Sequence, residues 1–128
     1  AIRPWQFVLE PLNGYLNLAA KLFTEGPRFS GAWNFGPDDY DAKAVEWIAS
    51  ELCARWGDGA GYDIDHNPQP HEAHYLKLDC SKAKAELLWT PKWDLSSSLE
   101  AIVRWNSAWL AGEDMRSVTI SQINQFFS

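Results

Sequence analysis

The chain has 128 residues, of which 46% are hydrophobic and 22% are charged, as in ordinary globular proteins. Its 17 acidic residues outnumber its 11 basic ones and give a formal net charge of -6, which argues against nucleic-acid and anionic-membrane partners. No apolar run approaches the ~20 residues of a bilayer span, and no signal peptide is visible. We therefore expect one cytoplasmic domain over residues 1–128.

Apolar residues recur at helical spacing in five segments. The first helix is predicted over about 11–24, with Gly26 at its C-terminal end. The second is entered from Asp41 and ended by Gly57. Asp79 is expected to cap a third helix that runs to about Leu88.

The last two helices lie in the C-terminal third of the sequence. Ser97 and Glu100 have the spacing of a capping box ahead of a fourth helix, which Gly112 ends. The fifth is predicted over 115–127. Three short strands are predicted at 32–35, 62–64 and 75–78. The expected fold class is a helix-rich α/β chain with about five helices, three short strands and no complete Rossmann fold.

Eight tryptophans are spread along the chain: Trp5, Trp33, Trp47, Trp56, Trp89, Trp93, Trp105 and Trp109. Packing in the core or between subunits is the favoured interpretation, because several of them occupy the apolar side of a predicted helix. A flat aromatic surface on which a sugar ring stacks is the alternative. The two cysteines, Cys53 and Cys80, are expected to be buried free thiols.

A polar cluster precedes the third helix. His66, His71, Glu72 and His74 invite a metal hypothesis, since zinc sites use histidine and carboxylate ligands. Their spacing matches no H-E-x-x-H helix, and the neighbouring prolines disfavour a helix there. The favoured interpretation is a polar loop without a metal that contacts a ligand. The glycines at 57–61 follow a helix and lack dinucleotide-binding spacing, so they are predicted to form a turn.

Four phrases carry a family resemblance: IRPWQFVLEPLNGYL (2–16), AWNFGP (32–37), PHEAHYLKLDCSKA (70–83) and WLAGEDMR (109–116). In this order they resemble the C-terminal portion of the CDP-glucose 4,6-dehydratases, which are sugar-nucleotide enzymes of the extended short-chain dehydrogenase/reductase type. The third phrase is the specific one, because the others alone indicate only the broader superfamily.

The resemblance implies which residues bind the substrate. In related epimerases and dehydratases, an arginine of the R-x-W/Y-x-x-V segment contacts the nucleotide diphosphate, and that role falls on Arg3. A second contact comes from the loop that corresponds here to Q-P-H-E, where Gln69 replaces a frequent arginine. The resulting candidates are Arg3, Gln69, His71, Glu72 and His74.

Two family motifs are absent from the chain: the G-x-x-G-x-x-G turn that holds the dinucleotide and the catalytic Tyr-x-x-x-Lys. In the intact family, NAD takes hydride from sugar C4, water leaves across C5 and C6, and the hydride returns to C6. We therefore expect this chain to hold a CDP-glucose-like nucleotide-sugar, to bind no cofactor itself and not to catalyse this lyase step of deoxysugar biosynthesis alone.

The chain begins within a patterned segment and looks cut from a longer protein. Apolar surface that meets the absent NAD-binding part in the intact family would then be exposed, and we expect it to drive homo-oligomerisation. The alternative is a stand-alone module, derived from the same family, that binds a nucleotide-sugar or another protein.

Overall fold

The computed structural model describes residues 1–128. Its elements in chain order are β1 (Ile2–Pro4), α1 (Leu9–Glu25), β2 (Ala42–Ala44), α2 (Val45–Trp56), α3 (Ser81–Glu86), α4 (Leu95–Leu110) and α5 (Met115–Phe127). Two short 3₁₀ turns, Gly26–Phe29 and Asp39–Asp41, precede and follow the extended segment between α1 and β2. The predicted fold class, a helix-rich α/β chain with five helices and no full Rossmann fold, is confirmed.

All five predicted helices form. Helices α1 and α2 each end at a glycine with positive φ, 67° at Gly26 and 75° at Gly57. In both cases the glycine N–H donates to a carbonyl of the last turn, the arrangement that closes a helix. Helix α5 has the predicted bounds.

The predicted start of the fourth helix is wrong by several residues. Helix α4 begins at Leu95, and its N-cap is Asp94, whose carboxylate accepts a hydrogen bond from the Ser97 N–H at 2.8 Å. Ser97 is therefore inside the helix and donates to the cap. Helix α3 is also shorter than predicted, because it ends at Glu86.

The three predicted strands do not form. Segments 32–35 and 62–64 contain no strand, and the segment 75–78 contributes one isolated parallel bridge, between Tyr75 and Ile2. The strands that do form, β1 and β2, pair antiparallel in a two-stranded sheet. Alternating side chains favour a strand, but a strand exists only where a second backbone offers hydrogen bonds.

Three small apolar clusters form the core. One packs Phe35 and Trp89 around the start of α3, and a second joins Phe7 to α4 and α5. The third packs Ile48 of α2 against α4. Glu10 connects the first helix to this core, as it is only 1% exposed and accepts hydrogen bonds from the backbone N–H groups of residues 92 and 93.

The apolar stripe that predicts α1 is largely exposed. Phe23 is 92% exposed and Leu16 66% exposed, whereas Glu10 and Gly14 are the buried positions of this helix. The tryptophans divide similarly: Trp89 is buried, but Trp109 is 59% exposed. Trp47 and Trp56 are each 37% exposed and are therefore mostly covered by the fold, whereas the ring of Trp109 is not packed within these 128 residues.

Both cysteines are free thiols, as predicted, but only Cys80 is buried, while Cys53 is half-buried. Burial raises the pKa of the Cys80 thiol. None of the helices is both long enough and apolar enough to span a bilayer.

Candidate functional site

Strand β1 lies between two other backbones. On one side, it pairs with β2. On the other, the Ile2 N–H donates to the His74 carbonyl at 2.8 Å, and the Leu76 N–H donates to the Ile2 carbonyl at 3.1 Å. The N-terminal segment and the polar loop before α3, which are far apart in sequence, are thereby brought together.

This arrangement places two predicted site residues in direct contact. Nη2 of Arg3 lies 2.7 Å from Oε1 of Glu72, and the Arg3 side chain is 16% exposed while that of Glu72 is 74% exposed. The hydrogen bond and the charge of Arg3 hold the pKa of the Glu72 carboxyl below its ordinary value. The guanidinium is therefore mostly sheltered by the fold, and an exposed carboxylate contacts it.

The other predicted residues of the loop lie apart from this ion pair. The Gln69 amide donates to Oδ2 of Asp65 at 2.9 Å, so its side chain is held within its own loop. The His71 and His74 rings face each other edge to face, with centroids 6.5 Å apart. The structure thus brings Glu72 to Arg3 directly and His74 to β1 through its backbone.

Sequence reasoning missed a basic residue beside this site. Lys43 of β2 is the register partner of Arg3 in the antiparallel pair, so both side chains leave the same face of the sheet. Nζ of Lys43 lies 4.5 Å from the centroid of the Tyr40 ring and 5.5 Å from that of Trp47. The alternation A-K-A is the sequence signal for this strand, but at three residues it is too short to be recognised.

A polar cleft near the start of α3 is lined by three carboxylates and two lysines. It has a volume of about 640 Å³ and is lined by residues 37–39, 77–81 and 84. Nζ of Lys84 is 2.7 Å from Asp38, and Nζ of Lys77 is 3.5 Å from Asp39. Both lysines of this cleft are therefore already paired with carboxylates.

The polar loop holds no arrangement suited to a metal: no group of three or more histidine, cysteine, aspartate or glutamate side chains is placed to ligate one. The glycines at 57–61 also do not form a dinucleotide-binding turn. Gly57 and Gly59 have positive φ in an open turn after a helix, rather than between a strand and the N-terminus of a helix. The predicted turn at 57–61 is confirmed in this respect.

The chain is 52% identical over all 128 of its residues to the CDP-glucose 4,6-dehydratase of Salmonella typhimurium (strain LT2). It spans 36% of the length of that relative, and the match is to the C-terminal part. No protein-family model matches the chain. The resemblance predicted from the four sequence phrases is confirmed, and the chain is related over its whole length to the C-terminal part of a CDP-glucose 4,6-dehydratase.

Proposed function

We propose that this chain is the nucleotide-sugar-binding portion of a CDP-glucose 4,6-dehydratase-like enzyme. In the whole enzyme, the reaction is the NAD-dependent conversion of CDP-glucose to CDP-4-keto-6-deoxyglucose in the cytoplasm. This portion holds the nucleotide diphosphate as one domain over residues 1–128. It does not catalyse the reaction alone.

The observation that carries this proposal is the placement of Arg3. Its guanidinium is mostly sheltered by the fold, yet its partner Glu72 is exposed and belongs to a loop. A planar guanidinium binds a phosphate through two parallel N–H donors, and a carboxylate occupies the same donors. Glu72 therefore holds the donors of Arg3 in place until a diphosphate replaces it.

Redox chemistry is assigned to residues outside this chain. NAD, when bound in the whole enzyme, supplies the hydride acceptor and donor. No strand, glycine turn and helix of this chain form a cradle for it, and no tyrosine is followed four residues later by a lysine. The contribution of these 128 residues is to bind and orient the substrate.

The test is isothermal titration of the 128-residue chain with CDP-glucose. We expect saturable binding, and we expect the variant Arg3→Met to bind at least about tenfold more weakly, because it loses a charge-assisted contact. Arg28→Met, which changes the same residue type on the remote turn after α1, is the matched control and is expected to bind as the wild type does. Equal affinities of Arg3→Met and Arg28→Met would reject the proposed role.

A second candidate function, a module that binds another protein, is favoured by the exposed face of α1. Leu12, Tyr15, Leu16 and Phe23 are all 44% exposed or more on one side of this helix. Continuous apolar surface of this kind marks an interface. The partner proposed here is a second copy of the chain when these 128 residues are produced alone.

A further inference from the structure

We propose that residues 58–73 form a lid that the Arg3–Glu72 ion pair holds closed, and that a diphosphate bound to Arg3 releases this lid. The inference rests on the proposed function, since the anion that displaces Glu72 is the substrate diphosphate of that proposal. It adds a conformational change that binding produces in a segment far from Arg3 in sequence.

The lid is a long surface loop. No helix or strand forms between Trp56 and Ser81, apart from the single bridge at Tyr75. Every residue from 57 to 76 is exposed, and even Ile64 is 53% exposed. Loops of this length without secondary structure are uncommon in compact domains, and many of them are lids or binding loops. Because this loop buries no apolar side chain, its position depends on a few polar contacts.

Two side chains of the lid make polar contacts with the rest of the protein. The Tyr62 hydroxyl lies 3.4 Å from the Ser50 hydroxyl, and Oε1 of Glu72 lies 2.7 Å from Nη2 of Arg3. The first contact lies near the start of the lid and the second near its end. When Glu72 leaves Arg3, residues 63–73 therefore lose their side-chain contact with the fold.

The lid keeps its own internal hydrogen bonds when it is released. Oδ1 of Asp65 accepts from the Asn67 N–H at 2.9 Å, and Oδ2 of Asp65 accepts from the Gln69 amide at 2.9 Å. Beyond the lid the backbone is fixed, because the His74 carbonyl accepts from the Ile2 N–H at 2.8 Å. Release therefore changes the position and mobility of the loop without unfolding β1.

The ion pair is of a kind that a ligand can displace. The Glu72 side chain is 74% exposed, so water and salt weaken its attraction to Arg3. A diphosphate carries more negative charge than one carboxylate and presents paired oxygens to the planar guanidinium. The coupling is reciprocal: if diphosphate binding releases the lid, removing the carboxylate that holds the lid strengthens diphosphate binding.

The test measures backbone order parameters of the 128-residue chain by NMR relaxation, with and without saturating CDP. In the free wild type, we expect the amides of residues 71–73 to have order parameters of about 0.85, as in rigid backbone. With CDP bound, we expect these values to fall below about 0.6, as in flexible backbone. The amides of α4 are the internal reference and are expected to stay unchanged.

Two variants remove the ion pair without a ligand. Glu72→Gln and Arg3→Met are each expected to have low order parameters at residues 71–73 in the absence of CDP. In Glu72→Gln, CDP should lower them little further. Glu86→Gln and Arg28→Met are the matched controls and should keep the ordered loop of the wild type. Circular dichroism checks that Arg3→Met is folded, and Glu72→Gln changes only an exposed loop residue.

The outcomes separate the lid from the proposed function. If CDP binds in titration calorimetry but residues 71–73 stay ordered or become more ordered, release is overturned while the proposed function stands. If the loop of Glu72→Gln is as ordered as that of Glu86→Gln, the ion pair does not hold the lid, and the inference fails whatever CDP does. If the wild type does not bind CDP, the proposed function fails, and release by a ligand fails with it.

Discussion

Arg3 and Glu72 form an ion pair of 2.7 Å between the N-terminal strand and the loop that precedes α3. Arg3 is sheltered and Glu72 is exposed. Separating them therefore costs free energy mainly because the charge of Arg3 would lose its partner, since Glu72 is already hydrated. Because Glu72 is largely exposed, water and salt screen the pair, and its contribution to folding is small. Its consequence concerns binding, since the carboxylate competes with any anion for the same guanidinium.

Removing that competitor is predicted to strengthen nucleotide binding. In Glu72→Gln, the guanidinium of Arg3 keeps a neutral neighbour and loses a negative one, so we expect the affinity for CDP to rise several-fold. Titration calorimetry at low ionic strength measures the change. Glu86→Gln is the control, because Glu86 is exposed at the end of α3 and forms no ion pair. An affinity for CDP that falls in Glu72→Gln would show that Glu72 assists the ligand rather than competes with it.

The same pair predicts a pH dependence of stability. Because Arg3 lowers the pKa of Glu72 below its ordinary value of 4.5, the folded state releases this proton more readily than the unfolded state. The stabilisation from the pair is therefore present above the unfolded pKa and is lost as the pH falls through the folded pKa. Urea unfolding should show a larger difference between wild type and Glu72→Gln at pH 7 than at pH 3. A difference of equal size at both values would contradict this.

Glu10 is predicted to be the most sensitive polar position of the core. Its carboxylate accepts from the Trp93 N–H at 2.7 Å and from the Lys92 N–H at 2.9 Å, and it is 1% exposed. In Glu10→Gln, Oε1 can still accept from both N–H groups, but the amide nitrogen takes the place of Oε2, which lies 3.0 Å from the Lys92 nitrogen, so two buried donors face each other. We expect the free energy of unfolding to fall by about 1–3 kcal/mol, measured by urea denaturation.

Glu86→Gln again serves as the control for Glu10→Gln, and similar unfolding curves for the two variants would contradict the structural role of Glu10.

The contribution of Glu10 to stability depends on pH with the opposite sign to that of Glu72. Burial raises the pKa of Glu10, so the folded state binds this proton more readily than the unfolded state. This group stabilises the fold below its unfolded pKa, and that stabilisation is lost as the pH rises through the folded pKa. Glu10→Gln is expected to lack this loss.

Gly14 is predicted to be required for the contact between α1 and Phe35. A Cβ atom on Gly14 would lie 2.6 Å from Cγ of the Phe35 ring, closer than side-chain atoms pack. In Gly14→Ala, the gain of about 1 kcal/mol in helix propensity is outweighed by an overpacking cost of about 1–3 kcal/mol, so we expect a lower melting temperature. Asn17→Ala, on the exposed side of the same helix, is expected to change it little. A more stable Gly14→Ala would mean that Phe35 moves away without cost.

The exposed stripe of α1 is predicted to make the 128-residue chain self-associate. Sedimentation velocity at increasing concentration should show species larger than a monomer. The double variant Leu16→Glu and Phe23→Glu places charges in the centre of the stripe and should sediment as a monomer. Ile64→Glu, at an apolar loop residue that is 53% exposed, should behave as the wild type does. A wild-type chain that remains monomeric at every concentration would reject the prediction.

Periodicity in the sequence was sufficient to find all five helices, and Gly26 and Gly57 were sufficient to end two of them, because these signals act within a few residues. The start of α4 was misplaced because Asp94 and Ser97 both suit a cap, and burial of Leu95 in the core selects the earlier one. The strands could not be predicted from local pattern. Their existence depends on which distant segments meet, as in the pairing of residues 2–4 with residues 42–44.

The features of the candidate site also divide into those that the sequence predicts and those that only the fold shows. The sequence by itself determined the family, since four ordered phrases carry the resemblance, and with it the identity of Arg3 and of the loop at 69–72. Only the tertiary structure decided that Glu72 covers Arg3, that Gln69 turns toward Asp65, and that Lys43 stands opposite Arg3. The physical reason is that residue types and local spacing are written along the chain, whereas charge pairing across the β1–β2 sheet depends on its register.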